Sequence, residues 1–169
     1  MLKRYYTGII LFILLFSITA YAEHKSPVHP RKSTPKRDIF MMEKRLFDLI
    51  NSERKAKNLP EFKLNTKIQN AARAHSKDMV KRRFFDHLNP DKQDVGSRLK
   101  AVNIKWAAVA ENIASNKNMD DPIETAFKSW LNSSSHYKNI INPEYELSGI
   151  GIAQGQDDTF FFTQIFVKQ

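Results

Sequence analysis

Residues 147–153 read Leu147-Ser148-Gly149-Ile150-Gly151-Ile152-Ala153, and residues 159–167 read Thr159-Phe160-Phe161-Phe162-Thr163-Gln164-Ile165-Phe166-Val167. The first run alternates with period two, as a strand does. Gly155-Gln156-Asp157-Asp158 supplies a turn, so the second run is its antiparallel return. That return strand is apolar at nearly every position. Both of its faces need cover, which makes it central, with helices on each side. The glycines of the first strand leave room for another element to pack closely. Helices ahead of a hairpin buried on both faces predict an α+β fold, a three-layer α-β-α sandwich around an antiparallel central sheet.

The helices are legible upstream. Asp38 caps a helix to about Lys57, whose apolar face is Met42, Leu46, Leu49 and Ile50. Leu59-Pro60 ends it, and Phe62 and Leu64 anchor the following loop. Asn65 caps a second helix to about Arg82, with the inner stripe Ile68, Ala71, Ala72, His75 and Met79. Phe84, Phe85 and Leu88 read as a packed exit, and Asn89-Pro90-Asp91 as a turn. Residues 91–119 read as irregular. A third helix starts near Pro122, with the stripe Ile123, Ala126, Phe127, Trp130 and Leu131. Ser133 to Ser135 cap a short fourth helix containing His136 and Ile140. Trp106, Trp130 and the phenylalanine cluster are assigned to the core.

The chain has 169 residues, 27 of them Lys or Arg and 18 Asp or Glu, for a net charge of +9, and no cysteine. One domain is the default at this length. Without cysteine there are no disulfides, thiolate zinc sites, iron–sulfur clusters or Cys nucleophile. Residues 1–22 run from Lys3-Arg4 through an apolar stretch to Ala20-Tyr21-Ala22, the pattern of a cleaved export signal. Without Lys3 and Arg4 the count is 25 basic against 18 acidic residues, or +7. Residues 23–38 hold Pro27, Pro30 and Pro35 with five basic and two acidic residues, and read as a basic, disordered linker. The domain, 39–169, keeps only +4. Nucleic acid is therefore not an expected partner. The expected product is an exported monomer, periplasmic or secreted, that meets the membrane only in transit.

An ordered set of motifs spans residues 40–167. It comprises Leu49-Ile50-Asn51-x-Glu53-Arg54, Ala71-x-x-Ala74-His75-Ser76-x-x-Met79, Phe84-Phe85-x-His87 and Ala110-Glu111-Asn112-Ile113-Ala114. Trp130-x-x-Ser133-x-x-His136-x-x-Asn139-Ile140 and Gly149-Ile150-Gly151 with Phe162-Thr163-Gln164 complete it. The set resembles the CAP superfamily of cysteine-rich secretory proteins, antigen 5 and plant pathogenesis-related class 1 proteins, in its cysteine-free bacterial branch. The resemblance implies an α-β-α sandwich with a polar cleft. In eukaryotic members that cleft carries two histidines and two glutamates, sometimes with a divalent metal. His87 matches the first histidine, and Glu111 matches the glutamate of the Gly-Glu-Asn signature, with Ala110 for glycine. Ser133 stands at the second glutamate and Phe161 at the second histidine. The bacterial branch implies His136 as a further cleft residue, here after Ser135 where glycine is usual.

Two imidazoles and one carboxylate, His87, His136 and Glu111, match the ligand count of a catalytic zinc site. The alternative for the same three is a hydrogen-bonded polar cluster that ties the long loops together. His75, on an apolar stripe, reads as a satisfied core histidine. Ser133 and His136 lie one helical turn apart, but no Gly-x-Ser-x-Gly elbow is present, and a helix cap accounts for Ser133. Gln164 is read as a buried hydrogen-bonding group beside the cleft. Two functions stay open. One is a module binding a lipid, peptide or protein partner. The other is a metal-dependent hydrolase of peptide or cell-wall material, with Glu111 as ligand or base.

Overall fold

In the computed structural model the described residues are 38–169. The signal-segment reading, and the linker reading up to Arg37, fall outside them.

Helix α1 (Ile39–Ala56) starts at Asp38, whose Oδ1 accepts the amides of Phe40 and Met41 at 3.0 and 3.3 Å. Helix α2 (Thr66–Arg82) starts at Asn65 in the same way and stops where Arg83 turns left-handed at φ 55°. Between them lies β1 (Lys63–Leu64). Then come α3 (Val95–Ala101), β2 (Ala108–Lys117), α4 (Pro122–Asn132), α5 (Ser134–Ile140), β3 (Leu147–Gln154) and β4 (Thr159–Lys168).

The sheet order is β1-β3-β4-β2. The hairpin β3–β4 is antiparallel in the register Gly151↔Thr163, and β2 pairs antiparallel with β4, Asn112 opposite Gln164. The short β1 runs parallel to β3, so the sheet is mixed rather than purely antiparallel. Two residues are too few to show a period, which is why this strand left no trace in the sequence.

As expected, the apolar β4 is interior and covered on both faces. Phe160, Phe162 and Phe166 enter one core with Met42, Leu46 and Ile50 of α1, Trp130 of α4 and Ile140 of α5. Ile165 and Val167 enter another with Ile68, Ala71 and Ala72 of α2 and Leu99 of α3. The three layers are thus α1, α4 and α5 on one face, the sheet, and α2 and α3 on the other.

Four local expectations change. Residues 91–119 are ordered, holding α3, capped by Asp94 Oδ1 on Ser97 N at 2.7 Å, and the ten-residue edge strand β2. The exit after α2 is not packed inside, because Phe85 is 50% and Leu88 44% exposed. Leu64 is also exposed, so Phe62 alone anchors its loop. Its backbone closes a pair of bonds with the Asn51 side chain, and its ring lies 3.7 Å from the Arg54 guanidinium. Trp106 is only half-buried, at the margin of the second core.

Gly149 and Gly151 do what their position suggests. A Cβ on Gly151 would fall 2.0 Å from Arg73 N, and one on Gly149 2.3 Å from Gln69 N, both in the α2 backbone. Helix α2 therefore rests directly on the β3 main chain. Ser76 Oγ seals the contact by donating to Gly151 O at 2.9 Å and to Thr163 Oγ1 at 2.8 Å. Gly151→Ala must push the helix off the strand and should cost about 3 kcal/mol, read as a lowered urea midpoint. A midpoint equal to wild type would contradict the contact.

Candidate functional site

Strand β2 is the outer strand on its side of the sheet, and its side chains alternate between the two helical layers. Glu111 faces the α2 and α3 side, and its side chain is 2% exposed. Such a buried carboxylate requires partners. Oε1 accepts from His87 Nδ1 at 2.9 Å, and Oε2 accepts from Arg98 Nη2 at 2.7 Å. Arg98, on α3, also donates to His87 O at 3.1 Å and to Gln93 O at 2.9 Å. It thereby fastens the loop carrying His87 to both α3 and β2.

His75 is a second imidazole near this acid. It lies on α2, fully buried, with Nε2 3.0 Å from Asp86 O and 3.9 Å from Glu111 Oε1. A carbonyl only accepts, so Nε2 carries the proton and Nδ1 is the bare nitrogen. That Nδ1 has no partner among the described residues, so His75 is a core histidine only half satisfied. Its ring tilts against Phe84 at 5.8 Å.

Asn112 points the opposite way, into the layer of α5. Its Nδ2 donates to His136 O at 3.0 Å, and its Oδ1 accepts from Asn139 Nδ2 at 2.8 Å. The start of α5 is thus tied to β2. His136 itself is half-buried, and no hydrogen bond joins its ring to Glu111 or His87 among the described residues. It senses His87 through charge alone. Ser133 stands at the cap position of α5 without a side-chain cap bond, and its Oγ lies 3.2 Å from Ser135 Oγ. Gln164 sits across from Asn112, donating to Ser148 Oγ at 3.1 Å, and its Oε1 has no partner among the described residues.

The electrostatics follow from these contacts. The bond to Glu111 raises the His87 pKa above the usual 6.5. Burial lowers that of His75, with the nearby Glu111 opposing. Burial also lowers that of His136, and the His87 charge adds to it. A raised histidine stabilises the fold fully below pH 6.5, and that contribution fades as pH rises through its folded value. The lowered histidines act in reverse, stabilising above 6.5 and losing effect as pH falls through their folded values.

The structure therefore brings His87 and Glu111 into contact, with His136 nearby, Ser133 at the cap of α5 and Gln164 on the sheet below. Among the described residues no group of three or more His, Asp or Glu side chains is arranged to hold a metal ion. A divalent ion also fits poorly at Glu111, where the Arg98 guanidinium already sits on the free oxygen. Sequence reading missed Arg98, since nothing in Gly96-Ser97-Arg98 sets it apart from other surface arginines. It also missed the closeness of His75 to Glu111, although both lay within recognised motifs.

A three-layer sandwich whose edge strand offers a buried glutamate to a loop histidine defines the class of CAP domains. This chain belongs to that family: the sequence profile "CAP: Cysteine-rich secretory protein family" matches residues 47–166. It is 33% identical over 125 residues to the uncharacterized protein YkwD of Bacillus subtilis, a match covering 74% of this chain and 46% of that protein. It is similar to an extracellular protein with an SCP domain from Bacillus anthracis, at 31% identity and TM-score 0.70, over 80% of this chain and 44% of that one. The chain thus spans about half the length of these relatives. The fold also matches an outer surface protein of Borrelia burgdorferi, with TM-score 0.71 at 21% identity, over 79% of this chain and 96% of that one.

Glu111→Gln keeps the shape of the site and removes the charge. It should destabilise the fold by about 3 kcal/mol, because Arg98 loses its counterion. His87 should then titrate closer to 6.5 by NMR, and a His87 pKa unchanged from wild type would contradict the contact.

Proposed function

We propose that this is an exported CAP-domain binding module that works as a monomer and holds a lipid, peptide or protein partner in its cleft. The observation that carries the reading is a groove of about 830 Å³ on the exit side of α2. Phe84, Phe85 and Phe161 line it, with Lys81 and Arg83. The volume is within the usual range for ligand pockets, roughly 300–1,000 Å³. Phe85 is half exposed and tilts against Phe161 at 6.3 Å, so the groove presents aromatic surface that the fold leaves uncovered. No ion pair engages Lys81 or Arg83 among the described residues.

His87 follows Phe85 by two residues in the chain, but neither it nor Glu111 nor His136 lines the groove itself. In this reading His87, Glu111 and His136 are the polar part of the binding surface, with Ser133 and Gln164 beside them. An apolar floor with two free cations suits a partner with an apolar chain and a negative group. Export rests on the signal-like residues 1–22. The Bacillus anthracis relative is an extracellular protein, which agrees with it. No described helix is long and apolar enough to cross a membrane.

A dansyl-labelled fatty acid and a panel of acidic peptides test the groove. Saturable binding to at least one is expected, weakened roughly tenfold by Phe85→Ser. Absence of saturable binding throughout, or equal affinity in the variant, would sink the reading. Zinc-dependent cleavage of peptide or cell-wall material, lost in Glu111→Gln, would favour the hydrolase instead.

A further inference from the structure

A carboxylate buried as deeply as Glu111 must be neutralised by something, and in clefts of this family a divalent ion is one solution. Here the donor set does not fit it. One oxygen of Glu111 is held by His87 Nδ1 at 2.9 Å and the other by the Arg98 guanidinium at 2.7 Å. The imidazole nitrogen that would be nearest an ion at Glu111 is thus already spent on the carboxylate. The ring of His136 makes no hydrogen bond to either group among the described residues. We propose that Arg98 is a built-in cation that takes at Glu111 the place a divalent metal would take, so that the His87–Glu111 site assembles without metal.

Three features support the assignment. The first is charge. Guanidinium stays protonated throughout the working pH range, so its neutralisation of Glu111 does not depend on supply of an ion. The second is reach. A metal at such a site would cross-link several chain segments, and Arg98 does the same with one planar group. It donates to Glu111 on β2, to His87 O and to Gln93 O on the loop that precedes α3. The third is burial. The Arg98 side chain is 9% exposed and that of Glu111 2%, so the pair is a built part of the interior rather than a surface encounter. A divalent ion entering beside Glu111 would meet a positive charge at short range with little water between them.

The proposal predicts that Arg98 is what keeps a divalent ion off the second oxygen of Glu111. The protein, stripped with EDTA and dialysed, is titrated with zinc chloride by calorimetry and scanned for its thermal midpoint with and without zinc. Wild type should give no saturable heat and no midpoint shift. Arg98→Ala frees one oxygen of Glu111 and removes the repulsion, so it should gain saturable zinc binding, roughly tenfold or more tighter than any wild-type response. Adding His87→Ala to that variant should remove the gain. Arg98→Lys keeps a charge near the acid and should stay blind to zinc. Saturable zinc binding by wild type that His87→Ala abolishes would overturn the proposal. So would a folded Arg98→Ala protein that ignores zinc. If Arg98→Ala does not fold, Arg98→Lys decides: blindness to zinc supports the built-in cation, and zinc binding refutes it.

Discussion

The structure depends on the direct contact of the α2 backbone with β3, which only glycine at 149 and 151 permits. With no side chain between them, helix and strand have one available spacing, and Ser76 locks it by bonding to Gly151 O and Thr163 Oγ1. On the other side of the sheet Glu43 accepts from Ile152 N at 3.1 Å and from Arg73 Nε at 3.0 Å, pinning α1 and α2 to the same strand. The end of α2 then has a fixed position. So does the loop that leaves it at Arg83, and so does His87 four residues on. The polar cleft is placed by an apolar packing constraint some distance away.

The second layer is placed by different means. Arg54 of α1 is buried and has no carboxylate partner among the described residues. It donates instead to the carbonyls of Pro60, Ile140 and Asn142, at 2.7, 2.8 and 2.8 Å. One cation thus gathers the end of α5 and the turn that follows α1, while Asn112 holds the start of α5. Strand β2 is the seam between the layers. Glu111 serves one side and Asn112, the next residue, serves the other. Alternation along a single edge strand lets a loop from the α2 layer and a helix from the α5 layer meet over the same short stretch of sheet. Without cysteine, buried arginines and their acceptors do the cross-linking that disulfides perform in small secreted domains.

Most of the fold was legible because its signals are local. Asp38, Asn65 and Pro122 mark helix starts by their own chemistry, and the apolar length of β4 announces a strand covered on both faces. The edge strand β2 was not legible. Ala108 to Lys117 contains Ala, Asn, Ser and Glu where strand formers would be expected, and its pairing is specified by Phe160, Phe162 and Ile165 on the neighbour. The site divides the same way. His87, Glu111 and His136 stand in short motifs and were picked out, but the partner that determines what Glu111 can do is Arg98, thirteen residues before it. That pairing exists only once α3 and β2 have folded, so no spacing in the chain encodes it. His75 is buried as expected but only half satisfied, and its nearness to Glu111 is a consequence of the helix–strand contact.

The central claim is that His87 is held on Glu111 by a direct Nδ1–H bond, as part of a unit completed by Arg98. Imidazole nitrogen–proton NMR on metal-free protein tests this directly. The account predicts a downfield proton on His87 Nδ1 that stays unchanged on adding zinc. A His87 ring that averages between tautomers, or whose proton signal appears only with a divalent ion present, would contradict it.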